Sequence, residues 1–593
     1  MALRSVVPPI PPRLASFLSH QSAAYHVKEL ETSSEHISQS LSDWYLASRR
    51  KLPWRGDPEP QDGWNGSGTL DGSALNSDSK GKKASSQKSI SSFFAPKPKP
   101  DPTSLATPTS PNTTTTPRAA AMTITPYHVW ISEIMLQQTR VAAVIPFFTK
   151  WIARFPTVSD LASATEDDVN AHWAGLGFYR RAKHLHNGSK YIVENCKDDS
   201  GEVVFPKTVE DLLKVPGIGP YTAGAIASIC YGIRTPAVDG NVLRVWSRCT
   251  TVCANVKGKY GGPWSQVLGE AIYKGCPNTV RSGVLNQAIM ELGATYCQNQ
   301  GSGIDASDPL KEAYGTTKIA EDIFTYLRAG GPAQDLRDLA LTCKCEICCE
   351  SPDSNGVLAF IEPIIDAVEK SGGATSNLDE VKSLAHRSLP LDPPKKGKRD
   401  EILHVAVVEN EKGEFLMGKR ESSGLLAGQW EFPYIVVKIK LAKEGGGKEK
   451  QFTQDTFSDS NITEMLNSYL SSLIGEEKIN VRKKLDPPIV HVFSHVRHFM
   501  NVEVGKTDAT QIVRSESEFS PPNGVTIPAH EAYEFVSKDD MKARGVTSAI
   551  TKVLKMIDGG AKKTSKATKK RKNESGSESK EDSPSKKVIK NDV

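Results

Sequence analysis

No stretch of this 593-residue chain approaches the roughly 20 consecutive apolar residues that a bilayer-crossing helix needs, so no membrane partner is expected. The chain also has little net charge outside its tail. Its formal charge is +5, and residues 561–593 alone hold eleven Lys or Arg against five Asp or Glu, which leaves the remainder about neutral. Any grip of the folded part on an anionic partner must therefore come from local patches. Ten cysteines in a chain this long do not make a small secreted disulfide scaffold. Cys196, Cys230, Cys249, Cys253 and Cys276 are dispersed, and Cys297 stands apart from the cluster Cys343, Cys345, Cys348 and Cys349. That distribution suits a reducing compartment and a metal site. The first 28 residues contain Arg4, Arg13 and Lys28 and no acid before Glu29, a composition shared by mitochondrial presequences and by disordered leaders.

Length predicts several domains. Residues 1–35 read as a leader, 56–121 as a disordered insertion rich in Gly, Ser, Thr, Pro and Lys, and 559–593 as a disordered basic tail. A short helix at Leu41–Ala47 places 36–55 with the region 122–300, whose apolar residues recur at three and four and whose Pro and Gly fall at short intervals, as in an all-α bundle. Residues 301–400 read as a connector carrying the cysteine cluster. Residues 401–558 open on alternating strand-like runs and close on a helix near Thr547–Met556, an α+β pattern.

Two motifs carry chemistry. Leu213-Lys214-Val215-Pro216-Gly217-Ile218-Gly219-Pro220-Tyr221 sets a Gly-x-Gly turn between two helical stretches. Glycines permit close approach to a phosphate, and the following helix offers unpaired N–H groups. This is the content of a helix–hairpin–helix, which holds a DNA backbone without reading its sequence. In the helix–hairpin–helix glycosylase superfamily an aspartate facing the sugar of an extruded nucleotide stands about twenty residues on, where this chain has Asp239. The second motif is Val129–Thr139, in which Glu133 is the single acid of an apolar, amide-rich helix. An isolated acid of this kind more often caps a helix or pairs with an arginine, but a buried carboxyl also has a raised pKa and can donate a proton.

Leu52–Arg55, Trp130–Thr139, Gly175–Tyr179, Val215–Gly224 and Val238–Asn241 resemble, in order and context, the MutY-type adenine DNA glycosylases. With residues 401–558 the resemblance covers about two thirds of the chain. It implies an all-α helix–hairpin–helix glycosylase domain followed by an α+β Nudix-like domain, and removal of adenine opposite 8-oxoguanine or guanine in duplex DNA by a monomer. Glu133 is then the proton donor, Asp239 the carboxylate that stabilises the sugar cation, Tyr221 and Asn241 their flanking residues, and Arg50, Trp54 and Arg55 the adenine pocket. Gln138, Thr139, Leu176 and Phe178 fall on the family's wedge positions, with Phe178 replacing the usual tyrosine. Val215, Gly217 and Gly219 would hold the DNA backbone. Related lyases have lysine where this chain has Tyr221, so a Schiff base and strand cutting are not expected.

The same resemblance implies a 4Fe–4S cluster whose first ligand is Cys297, with C-x6-C-x2-C-x5-C spacing. The spacing departs here. Cys297, Cys343, Cys345 and Cys348 remain a chemically possible set, and loss of the cluster or zinc binding by the later cysteines are the alternatives. Gly424–Pro433 resembles the start of the family's C-terminal domain, yet no Arg-Glu-x-x-Glu-Glu run follows Pro433, so pyrophosphate hydrolysis is not expected. Phe493-Ser494-His495 matches the loop that reads 8-oxoguanine. Finally, Gln87, Ile90, Phe93 and Phe94 fit the peptide that binds the PCNA sliding clamp, and Lys569-Lys570-Arg571-Lys572 reads as a nuclear localisation signal.

Overall fold

The computed structural model describes residues 7–58, 123–350, 355–370, 377–393, 399–421, 424, 426–437, 459–475, 480–493, 496–513, 521–522, 524–544 and 546–558. The clamp-binding peptide, the basic tail, Ser494 and His495 lie outside them.

In chain order the helices are α1 (Pro12–Leu18), α2 (Ala24–Ser48), α3 (Pro126–Leu136), α4 (Val141–Arg154), α5 (Val158–Ser163), α6 (Glu166–Trp173), α7 (Arg180–Asn195), α8 (Val209–Leu212), α9 (Pro220–Tyr231) and α10 (Gly240–Thr250). They continue with α11 (Pro263–Lys274), α12 (Ser282–Ala294), α13 (Gly315–Arg328), α14 (Ala333–Ala340), α15 (Gly356–Lys370) and α16 (Leu378–Ser388). The strands are β1 (Arg399–Asn410), β2 (Phe415–Arg420), β3 (Trp430–Glu431), β4 (Tyr434–Val437), β5 (Asn480–Val492), β6 (Val496–Thr507), β7 (Val525–Thr526) and β8 (His530–Val536). Helix α17 (Asp459–Ile474) precedes β5, α18 (Lys538–Ala543) follows β8, and a last helix covers 548–558.

The chain divides into two compact units, one of residues 1–154 and 203–393 and one of residues 155–202 and 394–593. Helices α5–α7, which lie inside the region predicted as one bundle over 122–300, are grouped with the second unit.

In the first unit, α2 buries a stripe of His26, Leu30, Ser34, Ile37, Ser38, Leu41, Ser42 and Tyr45, spaced at three and four, against α11 and α12. Its small serines let a neighbour come close: a Cβ on Gly275 would meet Ser34 Oγ at 2.2 Å. The predicted helix at Leu41–Ala47 is the C-terminal end of this longer one. Helix α1 buries Leu14, Phe17 and Leu18, and Phe17 meets Phe360 of α15 edge-on at 5.9 Å. Arg13 fixes α1 to α13 through two hydrogen bonds to Asp322, of 2.7 and 2.8 Å. The reading of 1–35 as a leader is thus corrected, since Leu14, Phe17, Leu18, Ala23 and Leu30 are buried in the core. The connector assigned to 301–400 is corrected likewise. Helices α13, α15 and α16 bury Ile319, Ile323, Tyr326, Phe360, Ile364, Val381 and Ala385 in the same core.

The second unit is built on a mixed sheet ordered β3-β2-β1-β4-β7, with β8 beside β2 and β6 between β1 and β5. Strand β1 runs parallel to β6 from Arg399↔Val496 to Asn410↔Thr507. Its period of two sends Leu403, Val405 and Val407 to one face, where Ile550 and Val553 cover them. Ala406 and Val408 go to the other face, under Ile462, Leu466 and Leu470 of α17. The α+β expectation holds, with a helix on each face of the sheet.

Candidate active site

The site is assembled in the first unit from the second half of α3, the first turn of α9 and the N-cap of α10. Pro126 opens α3 behind a capping box of Thr125 and His128, which satisfies end N–H groups and sets the helix start. Glu133 follows on a stretch buried from Tyr127 to Met135. Tyr221, in the first turn of α9, donates its hydroxyl hydrogen to Glu133 Oε2 and lies 3.1 Å from Met290 Sδ of α12. Burial pushes the Glu133 carboxyl up to about 7; the Tyr221 bond and Arg55 oppose this, and Asp239 reinforces it. A carboxyl in that state carries a proton near neutral pH and can give it away.

Asp239 is the N-cap of α10. Its Oδ1 accepts from the Asn241 and Val242 backbone N–H groups at 2.9 and 2.8 Å, and its Oδ2 from Asn241 Nδ2 at 2.7 Å. Burial raises its pKa, while these donors, and Arg244 more remotely, favour the ionised form. Arg244 orients the orienting residue: its Nη2 donates to Asn241 Oδ1 at 2.7 Å and to the Gly293 carbonyl at 2.8 Å. Two carboxyl groups thus sit in one site with different partners, one held by a neutral hydroxyl and one by a fan of N–H donors.

The predicted pocket residues are tied to a carboxylate that the sequence reading did not single out. Glu291, on α12, receives Arg50 Nε at 2.5 Å and Arg55 Nη2 at 3.0 Å. Burial alone would raise its pKa, but Arg55 and Arg50 hold it down at about 2. Arg55 also donates to the Arg50 carbonyl at 3.1 Å and lies over the Tyr45 ring. Trp54 is buried against Phe148. Arg50 and Arg55 are therefore committed to fixing the Leu52–Arg55 segment on α12.

The hairpin joins α8 to α9. Gly217 has a φ of 88°, which an L side chain rarely adopts, and Gly219 caps α9 without a side chain, ahead of Pro220. Pro216, Gly217 and Pro220 are exposed, whereas the Val215 and Ile218 side chains are buried. Val215 can therefore meet a phosphate only through its backbone. After α3 the chain turns through an exposed Gln138 with a φ of 56°, followed by Thr139.

Within the second unit, Leu176 is buried and Phe178 is 50% exposed with a φ of 50°. Arg181, also missed from sequence, supports this loop from below. It donates to the Leu176 and Gly177 carbonyls at 3.3 and 3.1 Å, and its guanidinium lies 5.4 Å from the Phe178 ring centroid. In the Nudix-like part, Glu431 of β3 accepts from Arg420 and faces His530, each at 3.0 Å. Phe493, at the end of β5, has its ring 4.6 Å from that of His491 and 4.9 Å from that of His498.

The cysteine expectation requires correction. Arg248 Nη1 approaches Cys297 Sγ at 3.5 Å, and His386 Nε2 lies 3.8 Å away. Cys345 and Cys348 instead group with His20 and His26, their ligand atoms all within 4.8 Å of one another. Among the described residues this is the one group able to hold a metal, and neither Cys297 nor Cys343 is part of it. A 4Fe–4S cluster needs four thiolates around it, and Cys297, Cys343, Cys345 and Cys348 do not supply them. The long insertion after Cys297, folded into α13 and α14, has carried the later cysteines to another part of the core.

Known proteins share this construction. Residues 131–259 match the HhH-GPD superfamily of base excision DNA repair proteins, and residues 404–556 match the NUDIX domain. The adenine DNA glycosylase of Rattus norvegicus is 30% identical over 453 residues, covering 75% of this chain and 74% of that protein. The chain belongs to the adenine DNA glycosylase family. As a family member it is a DNA N-glycosylase, a hydrolase of base-excision repair. The human adenine DNA glycosylase is 34% identical over 316 residues, 52% of this chain, and the alignment spans 51% of that protein. Among solved structures, a non-covalent complex of endonuclease III with DNA is similar to 33% of the chain and 85% of its own length, at 19% identity and a TM-score of 0.28. The base-excision match runs from α3 through α10 and so contains Glu133, Tyr221 and Asp239 of this glycosylase.

Proposed function

We propose that the protein hydrolyses the N-glycosidic bond of adenine paired with 8-oxoguanine or guanine in duplex DNA, leaving an abasic site without cutting the strand. The observation that carries this reading is the buried Glu133 bonded to Tyr221, in one site with a capped Asp239. Glu133 gives its proton to N7 of an extruded adenine, and the departing base takes the electron pair of the bond. The ionised Asp239 faces the positive charge that develops on the sugar. Water adds to the anomeric carbon and surrenders a proton, and the abasic sugar remains. Tyr221 has no amine, so no Schiff base forms with that sugar.

Preference for 8-oxoguanine is assigned to Phe493-Ser494-His495, because a hydroxyl and an imidazole can distinguish an N7–H donor from an N7 acceptor. Binding of the sliding clamp is assigned to Gln87, Ile90, Phe93 and Phe94, and nuclear entry to Lys569–Lys572. Mitochondrial entry rests on the N-terminal composition alone, and processing beyond Pro12 would remove core residues. Single-turnover cleavage of duplexes holding A opposite 8-oxoguanine, G or T, each read with and without alkali, tests the reading. Alkali-dependent breaks in the first two duplexes alone support it; alkali-independent breaks, or equal rates on all three, contradict it.

A further inference from the structure

The loop Gly175–Phe178 and the end of β5 at Phe493 lie in the same compact unit, and the helix over 548–558 is tied to both. We propose that this helix holds the two loops at a fixed spacing, with Tyr179 as the positioning residue at one end and Lys552 at the other. A contact to 8-oxoguanine made by the Phe493-Ser494-His495 loop then also seats the Phe178 ring. The inference rests on the reading of those segments as lesion loop and wedge, and adds the connection between them.

The wedge loop has one shape. Gly175, Gly177 and Phe178 are left-handed, with φ of 101°, 76° and 50°. Trp173 Nε1 donates to the Gly177 carbonyl at 2.9 Å, and Arg181 donates to the Leu176 and Gly177 carbonyls. A loop bound in this way moves with whatever holds its base. The base is Tyr179, a buried side chain whose hydroxyl is hydrogen-bonded to the Gly175 backbone and donates to the Val546 carbonyl at 3.5 Å. Beside it α18 packs on α6, and Glu166 of α6 lies so near the Gly428 turn that a Cβ there would stand 3.0 Å from Glu166 Oε1.

Val546 leads directly into the helix, whose start is capped by Thr547, with Oγ1 accepting from the Ile550 N–H at 3.4 Å. Ile550 and Val553 are buried in the core under β1, and Ile489 of β5 packs against the same cluster. Farther along the helix, Lys552 Nζ donates to the Val490 carbonyl at 3.2 Å and reaches His491 Nδ1 at 3.5 Å. An ammonium only donates, so this nitrogen accepts. The His491 ring lies 4.6 Å from that of Phe493. From Gly175 to Phe493 the path thus runs through hydrogen bonds, a ring contact and one rigid helix, the elements that carry coupling between sites.

The link has a use. Binding energy gained at the lesion raises the excision rate only where it is spent on extruding the adenine. Loops free to shift against each other would spend it on ordering themselves instead.

Single-turnover excision of adenine opposite 8-oxoguanine and opposite guanine, by wild type, Tyr179→Phe, Lys552→Met and the double variant, tests the link. Both substitutions keep the bulk of the side chain and remove its donor. Each should slow the 8-oxoguanine duplex by about three- to tenfold and leave the guanine duplex within about twofold. The double variant should be no slower than the slower single one, because both break the same connection. Should Tyr179→Phe fail to fold, Lys552→Met, at an exposed side chain, carries the same comparison of duplexes. Equal slowing on both duplexes, additive losses in the double variant, or a wild-type preference that survives every substitution would each overturn the link and leave the lesion reading intact. A wild type without preference for 8-oxoguanine would remove the lesion reading and the link together.

Discussion

The Tyr221 hydroxyl donates to Glu133 Oε2 across the interface of α9 and α3. The bond steadies a carboxyl that burial has pushed up to about 7, against an ordinary value of 4.5. Between those values the folded protein keeps a proton that the unfolded chain has released, so stability falls as pH rises through this window. The accumulated cost is on the order of 3 kcal/mol. Glutamine fills the same space and cannot ionise. Glu133→Gln should therefore unfold at a higher temperature than wild type at about pH 8 and at nearly the same temperature at about pH 4. A variant no more stable at the higher pH would show that Glu133 is not protonated in the folded state.

Glu291 presents the opposite sign. Its folded pKa, held at about 2 by Arg55 and Arg50, lies below the ordinary 4.5, so its contribution is present above that value and fades as pH falls toward 2. Glu291→Gln would leave two largely buried guanidinium groups without their carboxylate. A loss of roughly 3–5 kcal/mol is expected, measured by denaturant unfolding. Excision should fall with it, because the Leu52–Arg55 segment loses its anchor on α12. Unchanged stability would mean that the arginines find other partners at no cost.

Phe178 lies over Arg181 and is 50% exposed in a left-handed turn. A ring kept outside the core serves packing poorly and a wedge well. Phe178→Ala should change stability by no more than about 0.5 kcal/mol. It should slow excision from duplex DNA by on the order of tenfold, since unstacking costs a few kcal/mol that the ring would no longer offset. Equal slowing on a substrate whose adenine is already unpaired would argue against a wedge.

The candidate site was legible because its motifs are local. A lone acid in an apolar helix, a Gly-x-Gly hairpin and an aspartate at a helix start each leave a mark on the sequence. The N-terminal helices left much less. Three of the eight buried residues of α2 are serines and one is histidine, so its inward face does not read as apolar. Helix α1 is a seven-residue helix behind a run of prolines, and its burial depends on helices that lie three hundred residues later. The metal group was hidden for the same reason: spacing along the chain showed the C-x2-C, but not that two histidines of a supposed leader would fold onto it. Glu291 left no such mark, because its two partners lie near residue 50.

The most direct measurement is the single-turnover rate of adenine excision opposite 8-oxoguanine, followed from about pH 5 to about pH 9 for wild type and Glu133→Gln. With Glu133 as the proton donor, the wild-type rate declines as pH rises through about 7. The variant should be slower by about 10²–10⁴-fold and lose that inflection. A variant that keeps the wild-type rate, or a wild-type profile flat across neutrality, would contradict Glu133 as the acid.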